Sequence, residues 1–187
     1  MNITRYFMYK RIGTVLQDLP CVGRVLGISG VGQLYAYFDQ RNSELVDLHY
    51  PRVDAHSLPF RDGSFDWVLT DQVLEHIENP FQVVEESRRV LKPGGYAIHT
   101  SCLINPVHHA PKDYWRFTPD ALAYLCRNFG ETMECASWGN RVVVLLIAIR
   151  DAFRRVQIPE RRGSLRRLLA TWNEEEWAIS TWVVARK

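Results

Sequence analysis

The sequence predicts an α/β fold, a doubly wound and mostly parallel Rossmann-like sheet of about seven strands in a three-layer α/β/α sandwich. Three observations predict it. Short apolar runs with strand composition (24–28, 44–47, 65–70, 96–100, 131–137 and 178–185) alternate with stretches that carry helix start and stop signals. A turn rich in small residues, Gly27-Ile28-Ser29-Gly30-Val31-Gly32, follows the first run. Several runs end in polar residues, as strands do where they give out at a ligand crevice.

The clearest unit runs from Val53 to Gly95. Gly63 turns the chain into the apolar run 65–70, which ends at Asp71-Gln72. Asn79 then caps a helix with Pro80 in its first turn, where the missing N–H costs nothing. Val83, Val84, Ser87, Val90 and Leu91 share one face at helical spacing. Lys92-Pro93-Gly94-Gly95 stops the helix and opens the next strand.

Four blocks in this stretch together resemble the class I S-adenosylmethionine-dependent methyltransferases. They are Asp54-Ala55-His56-Ser57-Leu58-Pro59-Phe60, Ser64-Phe65-Asp66, Val73-Leu74-Glu75-His76 and Arg89-Val90-Leu91-Lys92-Pro93-Gly94-Gly95. The likeness continues more loosely from Gly23 to Phe129. It implies S-adenosyl-L-methionine as cofactor and methyl transfer to an oxygen or nitrogen of a small molecule: a sugar, a natural product or a lipid-linked acceptor. The alternative is a non-catalytic module that keeps the fold, has lost the cofactor and acts through protein contacts.

The resemblance distributes roles along the chain. Gly27, Ser29 and Gly30 would hold the methionine end. The family carries an acid at the place of Gly27, and this chain departs from it there. Asp47, closing the second strand, would accept both ribose hydroxyls. Only six residues separate Asp47 from Asp54, too few for a helix, so this is a compact variant. Asp54 and Ala55 would sit beside the adenine, on the next strand tip. Asp71 and Gln72 would line the same crevice, and His76 is a candidate general base, because an imidazole titrates near neutral pH.

The segment from Ser101 to Phe117 is long for a compact domain and dense in His, Asp, aromatic residues and Arg. It resembles a loop in one branch of these methyltransferases. His108 and Asp113 are candidates to orient or deprotonate an acceptor, with His109, Tyr114, Trp115 and Arg116 on the substrate side. Asp113 and Arg116 also have the charges to pair and lock the loop. His99, His108, His109 and Asp113 lack metal-ligand spacing, and no metal is expected.

The rest of the chain bounds the assignment. A length of 187 residues fits one domain, with a helical lid at 1–20 and a basic helical insertion at 141–170 before the last strand. The arginines Arg150, Arg154, Arg155, Arg161, Arg162, Arg166 and Arg167 beside the apolar run 142–149 suggest peripheral membrane contact through 141–167, or simply a solvated face. A net charge of +2 gives no argument for a nucleic-acid partner. No run approaches the ~20 apolar residues of a membrane span. Scattered cysteines suit reduced thiols in a cytoplasmic protein. Oligomeric state is left open.

Overall fold

The computed structural model describes residues 1–159, 161 and 163–187. The strands are β1 (Gly23–Ile28), β2 (Ser43–Leu48), β3 (Phe65–Asp71), β4 (Leu91–Cys102), β5 (Glu131–Trp138) and β6 (Ser180–Arg186). They form a 6-stranded sheet in the order β2-β1-β3-β4-β6-β5. Strands β1 to β4 are parallel, and β6 lies antiparallel between β4 and β5.

Among the described residues this is one strand fewer than expected. Residues 49–64 form turns, so Asp54 does not sit on a strand tip. The reason is chain length. A crossover between parallel strands takes about a dozen residues or more. The stretch between β2 and β3 suffices for one crossover and leaves none for a further strand.

Helices α1 (Ile3–Leu16), α2 (Gly32–Tyr35), α3 (Pro80–Val90), α4 (Pro119–Leu125), α5 (Arg141–Ile149) and α6 (Leu165–Thr171) cover the two faces. Alternation along the strands divides the core. Trp67, Trp138 and Trp182 pack with Ile3, Tyr9 and Ile12 of α1 on one side. Val68, Ala97, Val183 and Ala185 pack with Val83 and Val84 of α3 and Leu122 of α4 on the other.

Local chemistry sets the helix ends. Asn79 Oδ1 accepts from Gln82 N–H at 3.3 Å, and Val83, Val84, Ser87 and Val90 of α3 are buried. At the other end Lys187 Nζ donates to Leu91 O at 2.6 Å, and Gly94 takes a φ of 77°. The basic insertion resolves into α5, a short 3-10 turn and α6. Arg141 pairs with Glu174 and Arg154 with Asp151, while Arg162 lies outside the described residues. Val143 and Ile147 of α5 are buried, whereas Leu145 and Ile149 are exposed. No helix of the described residues is long and apolar enough to cross a membrane.

Asn140 joins the two insertion helices. Its Oδ1 accepts from Val143 N–H at 2.9 Å, capping α5. Its Nδ2 donates to Leu169 O at 2.9 Å and Trp172 O at 3.0 Å at the end of α6. Substituting Asn140→Ala removes a cap and strands two carbonyls. It should destabilise the fold by about 2–4 kcal/mol in urea denaturation, with an unchanged denaturant slope.

Candidate active site

A cavity of about 920 Å³ opens beyond the carboxyl ends of β1, β2 and β3. Ile28, Leu48, Val53, Ala55 and Leu58 give it an apolar wall. Ser29, Asp54, Gln72, His76, His108 and Tyr114 also line it, so the fold brings together seven of the residues singled out from sequence, Ala55 included. Ser29 and Gln72 have φ values of 63° and 58°, a left-handed conformation that costs a non-glycine residue of order 1 kcal/mol or more. Both stand where a strand ends at the cavity.

The other cofactor candidates are placed differently. Gly27 lies inside the sheet, where an added Cβ would run into Val31 Cγ2 and lie 2.9 Å from Asp47 Oδ1. Asp47 is absent from the cavity lining, and its Oδ1 accepts from Gly30 N–H at 3.4 Å. The carboxylate has folded back onto the Gly-rich turn. Asp71 is buried below the cavity: its Oδ2 accepts from Tyr9 O–H at 2.5 Å, and its Oδ1 from Thr100 O–H at 2.8 Å. Asp54 faces the cavity while pairing with His56 at 2.7 Å, and the His56 N–H and ring hold its carboxyl below the usual range.

The segment after β4 is held by its own side chains. Asp113 is 1% exposed and forms a two-pronged pair with Arg116, whose Nη2 donates to Oδ2 at 2.7 Å. Arg116 also donates to the carbonyls of Asn105, Pro106 and Trp115. Its guanidinium thus locks the loop, as its charge and that of Asp113 allow, while Arg116 also lines the cavity between this loop and α5. Asp113 likewise supports His108, accepting from its backbone N–H at 2.7 Å. His109 is exposed and lines neither cavity described here. Trp115 Nε1 donates to Ile77 O at 2.9 Å, and the Tyr114 and Trp115 N–H groups both donate to Glu75 O. A second cavity of about 560 Å³ lies between this loop and α5, with Tyr114 on the boundary of both.

His76 and His108 meet edge to face, with ring centroids 4.8 Å apart. The His76 Nδ1 lies 2.5 Å from Lys112 O, a partner that can only accept. The neutral ring therefore carries its proton on Nδ1 and its lone pair on Nε2.

Sequence reasoning gave no role to Arg5 or Tyr9, and placed Glu75 only as part of the segment after β3. Arg5 comes to the cavity wall from α1. Burial, then Asp71, raise the Tyr9 phenol above its ordinary range. Glu75 is fully buried with Ser101 O–H donating to Oε2 at 2.8 Å and Oε1 unpartnered, and burial raises its pKa. Glu75, Cys102 and His108 bring potential metal-ligand atoms within 4.8 Å of one another. Burial, then the Glu75 charge, push the Cys102 thiol up to about 12, away from the thiolate that a metal needs. No sequence signal marks these contacts, because each joins residues far apart in the chain.

With this geometry in place, residues 12–99 match a family described as a methyltransferase domain. Over this stretch, a little under half of its length, the chain is similar to S-adenosylmethionine-dependent methyltransferases. Over 69 residues it is 35% identical to the malonyl-[acyl-carrier protein] O-methyltransferase of a Marinomonas species, covering 37% of this chain and 26% of that protein. Over 110 residues it is 33% identical to a probable S-adenosylmethionine-dependent methyltransferase of Mycolicibacterium smegmatis, covering 48% of this chain and 43% of that one. The chain spans less than half the length of these curated relatives. Its fold matches the 1,6-didemethyltoxoflavin-N1-methyltransferase of Burkholderia thailandensis with a TM-score of 0.60 at 15% identity, covering 96% of this chain and 77% of that one.

The Asp113–Arg116 pair is testable through pH. The Arg116 hydrogen bonds hold the Asp113 carboxyl far below its usual range, opposed by burial and helped by His108 N–H. A depressed carboxyl stabilises the fold fully above its unfolded pKa of about 3.9 and loses that contribution as pH falls. Asp113→Asn should cost about 1–3 kcal/mol at pH 7 in thermal or urea melts. The gap from wild type should narrow progressively below about pH 4.

Proposed function

We propose that this domain transfers the methyl group of S-adenosylmethionine to an oxygen or nitrogen nucleophile on a small-molecule acceptor. The observation that carries the reading is the cavity at the carboxyl ends of β1 to β3, with Ser29, Asp54 and Ala55 on its lining beside His76 and His108. At about 920 Å³ it lies within the ~300–1,000 Å³ of small-molecule sites. The donor set fits the cofactor's chemistry. An apolar wall suits a flat base, the Asp54 carboxylate suits an exocyclic amine, and the Arg5 guanidinium suits the charged amino-acid end. Bound there, the cofactor supplies an electrophilic methyl on a sulfonium.

The chain's own part is positioning and proton removal. His76, with Nδ1–H fixed on Lys112 O, offers the Nε2 lone pair to an acceptor O–H or N–H. His108 flanks it, its position set by the locked 103–117 segment. The smaller cavity, lined by Leu103, Ile104, Val107, Val144 and Ile147, suits the apolar body of an acceptor whose reactive end reaches past Tyr114. The O-methyltransferase activity in the Marinomonas relative's name agrees with an oxygen acceptor. The open cavity favours this reading over a module that has lost its ligand.

Both S-adenosylmethionine and S-adenosylhomocysteine should raise the melting temperature, a ligand at a hundred times its Kd adding about 2.7 kcal/mol. Absence of any shift at millimolar ligand sinks the reading. His76→Asn should keep that shift. In a screen of acceptors with radiolabelled methyl donor, it should lower transfer by about 100-fold or more.

A further inference from the structure

Apolar residues from Val142 to Ile149 make up nearly all of α5, yet only Val143 and Ile147 are buried. A helix apolar all round belongs in a core or in lipid, and this one sits at the surface. Ile149 is 74% exposed, with Leu145 exposed beside it one turn earlier. The pattern recurs in α6, where Leu165 is 71% exposed and Leu168 and Trp172 are exposed too. Val143, Ile147 and Ala170 enter the same core as α1, so both helices lie in one layer on one side of the sheet. Apolar side chains left in water at this density mark a surface that something covers.

Charge decides what covers it. Residues 141–171 hold eight arginines, no lysine and two acids, Asp151 and Glu160. Arg154 pairs with Asp151, and Arg141 with Glu174 beyond the stretch. Arg150, Arg155, Arg161 and Arg166 are exposed, the first directly after α5 and the last inside α6. A bilayer with anionic headgroups takes both kinds of side chain at once. Aliphatic groups enter the headgroup–acyl boundary, arginines meet phosphates, and a Trp settles between the two levels. The smaller cavity adds direction. Val144, Ile147 and Ala148 form its α5 wall, with the exposed Val107, Tyr114 and Trp115 across it. Helical spacing sets Ala148, itself exposed, between that wall and the Leu145–Ile149 stripe, so apolar surface runs from the cavity onto the outside of α5.

We propose that the exposed faces of α5 and α6 dock this protein on an anionic lipid bilayer, with Leu145, Ile149, Leu165 and Leu168 among the headgroups and the neighbouring arginines on lipid phosphates. Docked in this way, the smaller cavity opens at the membrane surface. An acceptor carried on a lipid then reaches it without crossing water. That consequence rests on the acceptor role proposed for the cavity; the docking does not.

Vesicle cosedimentation of the full chain tests the docking. At low salt, binding to phosphatidylcholine vesicles carrying about 30% phosphatidylglycerol should exceed binding to pure phosphatidylcholine by about 10-fold or more. Raising salt from about 0.05 M to about 0.5 M should remove most of that difference. The double variant Leu145→Gln with Ile149→Gln should bind anionic vesicles about 10-fold more weakly, and Arg150→Gln with Arg155→Gln should lose a similar factor. All four side chains are exposed or lie outside the core, so melting temperatures should stay within about 3 °C of wild type. Wild type left in the supernatant with anionic vesicles at low salt overturns the proposal. So does equal binding to neutral vesicles, or an apolar double variant that binds as wild type does. A wild-type dimer in equilibrium sedimentation that the same variant dissociates overturns it too, because a second copy would then cover the face. If S-adenosylhomocysteine raises the melting temperature but no vesicle binding occurs, docking alone falls. Vesicle binding without that thermal shift leaves docking standing and removes the methyl-transfer reading.

Discussion

A short hydrogen bond buried below the cavity decides how the site is built. Tyr9 O–H meets Asp71 Oδ2 at 2.5 Å, tying α1 to the last residue of β3. The bond joins residues 62 positions apart and is closed on the other oxygen by Thr100 of β4. A carboxylate this deeply buried is tolerable only with its lone pairs satisfied, and the satisfied group then fixes whatever donates to it. Because Tyr9 is fixed, the residue one helical turn earlier, Arg5, stands at the cavity wall. The same strand end turns left-handed at Gln72, which donates its N–H to Thr100 O and leads the chain toward Leu74–His76. One buried carboxyl group thus aligns the N-terminal helix, two strand ends and the His76 turn.

The opposite wall is held by different means. Its loop has no regular backbone ladder, so side chains do the work that a strand would otherwise do. Arg116 reaches three loop carbonyls and the Asp113 carboxylate, and Glu75 O accepts from two successive N–H groups at 114 and 115. Loops are mobile unless side-chain bonds hold them, and these bonds fix the groups that the segment presents. Precise placement of His76 against His108 follows, since one ring bonds the loop at Lys112 O and the other belongs to it.

Much of this was legible in the order of residues. The alternation of apolar runs and capped helices located all six strands and the α3 face, because those features are set by local periodicity and by caps within three or four residues. The cavity residues Ser29, Asp54, Ala55, Gln72, His76 and His108 were legible for a related reason: a parallel sheet puts every strand's carboxyl end on one side, so residues just after strands converge. What sequence could not supply is the direction of a side chain at a strand end. Asp47 and Asp71 both close a strand with a carboxylate, yet the first folds back on Gly30 and the second is bound by Tyr9. Arg116 read both as a substrate-side group and as the partner of Asp113, and the pairing is what the loop shows. Arg5 carried no signal at all, because a basic residue in an aromatic helix is indistinguishable from a solvated one until the helix is docked.

The same reasoning accounts for the glycine that replaces an acid at the end of β1. Gly27 is in register with Asp47 on the neighbouring strand, and an added Cβ would already lie 2.9 Å from Asp47 Oδ1. An acid at 27 would set two carboxylates against each other in a narrow crevice, raising the pKa of one and forcing both away from the turn. With glycine there, Asp47 is free to brace Gly30.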